Sequence, residues 1–253
     1  ISECLVGSEM CIRDRIDIVT LFPEMCENIL NESIIGRARA RGYLQVCCHQ
    51  LRDHGEGVHK RVDDCTFGGG KGMLLMAQPI AKAFDEIIEQ TAVRPHIVYM
   101  SPRGRVLDQE KVKELAKNEN IIVLCGHYEG VDERVLEEYD VEEISIGDFV
   151  LTGGELPAVI LTDAVARMLP GVLSEDVCFE EESHYDGLLE YPQYTRPSAW
   201  RGREVPQVLL NGHHEKIKKW RREQSLKVTQ KARPDLFEKA ELTAEEKRAF
   251  GRK

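Results

Sequence analysis

The sequence predicts an α/β domain built on a parallel sheet, followed by a small all-helical C-terminal domain. Three observations carry this. Short apolar runs alternate with helical patterns over most of the chain, three successive runs each end in a glycine-bearing turn, and the alternation then gives way to a basic helical stretch. The 253 residues suffice for one large or two modest domains, and 42% hydrophobic with 31% charged residues is an ordinary globular composition. The longest uninterrupted apolar run is five residues, against about 20 for a membrane-spanning helix, so no membrane partner is expected.

Ile16–Phe22 reads as a buried strand, and Pro23 as the first residue of a helix. Arg37, Arg39 and Arg41 close the next helical stretch, with Gly42 as its cap, and Tyr43–Leu51 is a second strand candidate. Residues 68–72, four glycines around Lys71, form a loop by composition. Pro79 opens an amphipathic helix whose Ile80, Ala83, Phe84, Ile87 and Ile88 share one face. Strand Ile97–Met100 then ends in Ser101-Pro102-Arg103-Gly104, before a helix at 109–117. Strand Ile121–Cys125 ends in Gly126-His127-Tyr128-Glu129-Gly130, before a helix at 132–138. Strand Glu143–Ile146 ends in Gly147-Asp148, and Leu151-Thr152-Gly153-Gly154 precedes a helix running to about Leu169. Ligands of parallel sheets bind beyond the carboxyl ends of the strands, where these glycines lie. From 170 to 197 the chain is acidic and aromatic without helical periodicity, as in a functional lid or linker. A basic helix at 212–224 and a short terminal helix follow, the latter with Thr243 and Glu246 at capping-box spacing.

The net charge of −10 argues by itself against a nucleic-acid partner, but it hides an asymmetry. Residues 128–190 carry a net charge of −16, with Arg134 and Arg167 as the only Lys/Arg, whereas residues 201–234 carry +7. A second basic stretch, 36–61, contains His49, His54 and His59. Phosphate responds to the local field within a Debye length of about 8 Å, so a polyanion remains a candidate ligand at two places. The eight cysteines form no C-x-x-C pair and no zinc-type spacing with histidine. They read as buried reduced thiols in a reducing, cytoplasmic compartment.

Several familiar sites are excluded. The 68–72 loop lacks the Ser/Thr of a P-loop, since Gly72 stands there, and no G-x-G-x-x-G opens the sheet. A glycine hinge, or a surface approached closely by a ligand backbone, fits the loop better. Ser101 has no nucleophile-elbow context. The turn glycines after the three strands suit recognition of one ligand, such as a purine, by backbone N–H and C=O groups. The pair His213-His214 lies among basic residues and suits phosphate better than metal. The run Glu180-Glu181-Glu182 reads as a solvated face, and Arg167 as an ion-pair partner for a neighbouring carboxylate.

Six segments, in this order, resemble the bacterial tRNA (guanine-N1)-methyltransferases. They are 18–25 (IVTLFPEM), 68–73, Ser101–Gly104, Cys125–Arg134, Ser145–Pro157 and 187–197 (GLLEYPQYTRP). The resemblance covers about Ile16–Phe250. It implies a trefoil-knotted methyltransferase domain of the SPOUT class, dimeric, with active sites between subunits. It also implies S-adenosylmethionine as cofactor and, as substrate, the guanosine at position 37 of a tRNA anticodon stem-loop. The implied domains are a foreign or disordered leader at 1–14, a knotted cofactor-binding domain at 15–172, a linker or lid at 173–197 and a helical tRNA-binding domain at 198–253.

On that resemblance, Pro102, Gly126, Glu129, Ile146, Gly147, Leu151, Gly153 and Gly154 match the family's cofactor contacts. Arg167 matches its catalytic arginine, and Glu182 stands where the best-known members carry the aspartate base. His127 stands where arginine is common and is assigned no catalytic duty. Lys216, Lys218, Lys219, Arg221 and Arg222, with Arg201 and Arg203, are expected to hold the anticodon stem by its phosphates. Family members depend on Mg2+, for which the sequence offers no dedicated cage, so no metal ligands are assigned. Two other readings remain: a knotted methyltransferase with a different RNA target, and a non-catalytic tRNA-binding homologue.

Overall fold

The computed structural model describes residues 14–69, 72–173, 183–184 and 187–251. The chain divides into two compact units, Ile1–Glu175 and Asp176–Lys253.

The first unit contains β1 (Arg15–Thr20), α1 (Pro23–Leu30), α2 (Ser33–Ala40), β2 (Gln45–Gln50), β3 (Asp63–Cys65), β4 (Met73–Leu75), α3 (Ala77–Glu89), β5 (His96–Val106), α4 (Gln109–Leu115), β6 (Asn120–Cys125), α5 (Glu133–Glu138), β7 (Glu142–Ser145) and α6 (Glu155–Ala166). Five strands form a wholly parallel sheet in the order β2-β1-β6-β5-β7. Its central strands are buried on both faces, which is why β6 reads as a continuous apolar run, Ile121 to Cys125, rather than as an alternation. One face packs against α1, α2, α4 and α6 through residues such as Cys26, Leu30, Val112 and Leu161. The other packs against α3 and α5, with Ile80, Phe84 and Ile87 fully covered. The face foreseen for α3 is therefore the one that is buried, although the helix starts two residues before Pro79.

Strand β5 differs from the expected strand that stops at Met100. Met100 and Arg105 both pair with Ile144 of β7, so Ser101–Gly104 loop out of the ladder and the strand resumes to Val106. Such a bulge bends the strand and re-aims the residues in it. Two contacts hold it. The Arg103 guanidinium reaches Glu133 at 3.0 Å and Glu143 at 2.9 Å, and a Cβ on Gly104 would fall 2.3 Å from the Glu143 backbone.

Three thiols from different elements, Cys26, Cys48 and Cys125, meet in the core. Contact with Cys125 pushes the Cys26 thiol up to about 12, and contact with Cys26, together with burial, pushes Cys48 up as well, so these groups stay protonated at neutral pH. Cys47 and Cys48 are only half-buried and Cys65 is exposed, so burial does not extend to every described cysteine; Cys4, Cys11 and Cys178 lie outside the described residues.

The second unit contains a two-stranded hairpin, β8 (Ala199–Trp200) and β9 (Arg203–Glu204), then α7 (Gln207–Leu210), α8 (His214–Ala232), α9 (Pro234–Lys239) and α10 (Ala244–Ala249). Among the described residues, the other regular elements of this unit are helices; the hairpin is one the sequence reading lacked. Helix α8 runs eight residues past the expected end at 224, because Leu226 and Thr229 are buried and extend its packed face. Leu188, Leu226, Phe237 and Leu242 form a small core, and the Leu189 N–H donates to Thr229 Oγ1 at 2.9 Å. The end of the stretch read as a linker thus packs within this unit. The capping box at Thr243 and Glu246 forms as its spacing requires. Among the described residues, no helix is long and apolar enough to cross a membrane.

Candidate active site

Because β6, β5 and β7 are neighbours in the sheet, the chain leaving their carboxyl ends converges on one place. A cavity of about 250 Å³ opens there. The β5 bulge supplies Ser101 and Pro102, the loop after β6 supplies Gly126 to Gly130, and the segment after β7 supplies Ile146 and Phe149 to Gly154. Tyr99, Met100, Ile144, Ser145 and Pro157 complete the wall.

Seven of the eight residues foreseen as cofactor contacts line this cavity: Pro102, Gly126, Glu129, Ile146, Leu151, Gly153 and Gly154. Gly147 stands behind the wall. Its N–H donates to Ser145 Oγ at 3.1 Å, the same hydroxyl donates to its carbonyl at 3.0 Å, and a Cβ there would meet the Phe149 ring at 2.7 Å. Gly147 therefore lets Phe149 fold back over the turn. The sequence reading missed Tyr99 and Phe149. Burial raises the Tyr99 phenol above its ordinary value and keeps it neutral. Its position at the apolar end of β5, just before the bulge, was the available signal.

Backbone packing explains the glycines. The Gly154 N–H donates to the Gly126 carbonyl at 2.9 Å, and a Cβ on Gly154 would lie 2.7 Å from both Cys125 Cα and Gly126 N. A Cβ on Gly126 would lie 2.7 Å from the Tyr99 hydroxyl. The two loops meet backbone to backbone, at a separation no side chain permits.

Gly72, at φ +117, is approached by the Glu129 side chain, 2.5 Å from where its Cβ would stand. Strand β4 follows as a splint. The Glu129 N–H donates to Met73 O, the Leu75 N–H to Gly130 O and the Asp132 N–H to Leu75 O, each at 3.0 Å. Gly70 and Lys71 lie outside the described residues.

Arg167 does not line the cavity of its own chain. It caps the C-terminal end of α6, whose 12 residues separate it from Gly154 by about 18 Å at 1.5 Å rise per residue. Glu182, and with it the Glu180–Glu182 run, lies outside the described residues. Five of the basic residues share α8, where Lys216, Lys218 and Lys219 are exposed, whereas Arg201 and Arg203 lie in the β8–β9 hairpin. Arg222 bonds Glu246 at 3.0 Å and Arg221 lies 4.8 Å over the Tyr191 ring, so these two also tie the second unit together. Among the described residues, no group of three or more His, Cys, Asp or Glu is placed to hold a metal ion.

With this geometry in view, comparison with known proteins is specific. The profile of the family described as tRNA (Guanine-1)-methyltransferase TrmD matches residues 14–239. Proteins named tRNA (guanine-N(1)-)-methyltransferase are similar to the chain along nearly their whole length. One from Ruminiclostridium cellulolyticum is 55% identical over 225 residues, covering 89% of this chain and 97% of the relative. One from Alkaliphilus oremlandii is 52% identical, covering 90% and 94%, and one from Clostridium perfringens is 49% identical, covering 92% and 97%.

The Gly154 contact generates a test. Gly154→Ala is expected to weaken adenosyl-ligand binding by more than about tenfold, since the new methyl can be housed only by parting the two loops. Titration calorimetry on the folded variant measures this, and unchanged affinity would show that the cavity tolerates separation of its walls.

Proposed function

The chain belongs to the tRNA (guanine-1)-methyltransferase family, and on that premise we propose that it methylates N1 of the guanosine at position 37 of tRNA, immediately 3′ of the anticodon, in the cytoplasm. The observation that carries this reading is the cavity built from the bulge and loops after β5, β6 and β7, in which seven of the eight expected contacts converge. Its walls are backbone amides and carbonyls, small residues and apolar side chains, a donor set that suits the planar ring and polar edges of an adenosyl group. Pro102, Gly126, Ile146, Leu151, Gly153 and Gly154 would hold that group, with Glu129 at the rim. The close seating of Gly154 on Cys125–Gly126 supports the reading of this segment as the tight crossing of a knotted chain.

When bound, S-adenosylmethionine supplies a methyl group on positively charged sulfur. The protein's part is to make guanine N1 nucleophilic and to align it. N1 carries a proton at neutral pH. In this reading the Glu182 carboxylate accepts that proton as general base, and its extra methylene relative to aspartate lengthens its reach. Negative charge then builds towards O6, where the Arg167 guanidinium stabilises it through two planar donors. Alignment of N1 with the methyl carbon contributes much of the rate. Mg2+ enters no step here; Glu129 is the described cavity carboxylate nearest to what a substrate-borne ion would need.

The position of Arg167 supports a site shared between two copies of the chain. A helix length from its own cavity, it would serve the cavity of a second copy. A homodimer is further supported by exposed apolar residues on the adjoining α1 and α6: Met25, Ile29, Leu156 and Ile160, with Phe22 beside them. Leu156, Ile160, Asp163 and Arg167 follow one another at helical spacing along one face of α6. The basic α8 would contact phosphates of the anticodon stem, while the acidic remainder of the chain disfavours binding elsewhere.

The deciding experiment incubates the protein with S-adenosylmethionine, Mg2+ and an unmodified tRNA transcript with guanosines at positions 36 and 37, then analyses nucleosides by mass spectrometry. The expected product is 1-methylguanosine. A 2′-O-methyl nucleoside would redirect the reading to another RNA target, and tight RNA binding without product to a non-catalytic homologue. Glu182→Gln is expected to lower turnover by about 10²-fold or more with cofactor affinity intact; an unchanged rate moves the base elsewhere. Lys216→Ala with Lys218→Ala is expected to weaken tRNA binding and to reduce the slope of log affinity against log salt by about 1–2. An unaltered slope removes α8 from the RNA interface.

A further inference from the structure

Glu155 has no part in the chemistry above, yet its carboxylate is buried, at 2% exposure, directly behind the cavity wall. A carboxylate is kept in such a place only by specific partners. The Thr20 hydroxyl at the end of β1 donates to Oε1 at 2.7 Å. The His127 Nε2 lies 3.3 Å from Oε2. Glu155 is also the first residue of α6, where unpaired amides and the helix dipole favour an anion.

Each partner is itself fixed. Thr20 Oγ1 accepts the Phe22 N–H at 2.9 Å, so the hydroxyl is spent on both sides. The Phe22 ring stands 5.1 Å from the imidazole of His127. The pair fills the space that a side chain at position 153 would need, since a Cβ on Gly153 would come within 2.4 Å of Glu155 Oε2 and 2.5 Å of His127 Nε2. One carboxylate thereby joins the end of β1, the loop after β6 and the start of α6, and the last two adjoin in the cavity wall.

We infer that Glu155 is a positioning residue: held by Thr20, its carboxylate fixes His127 and so sets the Gly126–Gly130 wall against the Gly153–Gly154 wall. It acts through His127 and touches no reacting atom. Ligand affinity therefore depends on it, and the chemical step at saturation does not. The inference rests on the reading of this cavity as the S-adenosylmethionine site, and the same experiment separates the two.

The test uses calorimetric titration of the full chain with S-adenosylmethionine and, separately, with its demethylated product, plus turnover at saturating cofactor. The proteins are the wild type, Glu155→Gln, Thr20→Val and Thr20→Ser, each checked for folding by thermal unfolding. Glu155→Gln and Thr20→Val are expected to weaken both ligands in parallel by about tenfold, the scale for losing one hydrogen bond to a buried charge, with kcat within about twofold. Thr20→Ser, which keeps the hydroxyl, is expected to restore wild-type affinity. If Glu155→Gln does not fold, the Thr20→Val and Thr20→Ser comparison decides alone. Unchanged affinity in the folded variants overturns the inference. So does a loss confined to the sulfonium ligand, which would make Glu155 a direct electrostatic contact, or a fall in kcat at saturation. A wild type that binds neither ligand overturns the cavity reading itself.

Discussion

The contact of Gly154 with Cys125 and Gly126 constrains everything else in the first unit. Two stretches of backbone far apart in the chain approach until no Cβ fits between them, joined by the Gly154 N–H to Gly126 carbonyl bond. The approach brings the segment after β7 against the end of the central strand β6, and it starts α6 at that point. Helix α6 is then driven into the core by its apolar residues, among them Ala158, Leu161 and Val165, which cover one face of the sheet. Cavity, helix and core face thus share one steric condition. Glycine satisfies it at an entropic cost in the unfolded chain, which the burial of α6 offsets.

Around that fixed crossing, short-range devices set the remaining walls. The β5 bulge turns Ser101 and Pro102 inward by dropping four residues out of register, and Arg103 pins it through Glu133 and Glu143. Strand β4 braces the Glu129–Asp132 stretch from outside. The Thr20–Glu155–His127 chain braces it from beneath. Walls made this way are backbone surfaces held by packing and hydrogen bonds, so the shape of the cavity is set by the fold itself.

Charge is distributed unevenly along the chain in a way that suits a polyanionic substrate. The acidic 128–190 region contributes carboxylates both to ion pairs, as at Arg103, and to helix starts, as at Asp132, where the neighbouring Arg134 holds the Asp132 carboxyl below its ordinary value. The basic residues cluster on α8, where Lys216 and Lys218 are exposed while Arg222 bonds Glu246. An arginine bonded to its own unit contributes field rather than a free contact, which leaves the lysines as the more exposed cations of this helix.

The sequence by itself determined the alternation of strands and helices, because apolar periodicity records burial residue by residue. It also located the glycines that line the cavity, since turns after parallel strands carry that signature whatever lies beside them. The buried face of α3 and the capping box at Thr243 were legible for the same reason: both are written within a few consecutive residues. Only the tertiary structure decided the rest. The continuation of β5 past Met100 depends on pairing with β7, the role of Gly72 on a carboxylate 57 positions onward, and the anchoring of Glu155 on Thr20, 135 positions before it. Arg167 stands only 13 positions beyond Gly154, and the 12 residues of α6 between them carry it about 18 Å along the helix. Contacts made across the fold leave no local period in the chain, and a distance along a sequence becomes a distance in space only once the elements between are built.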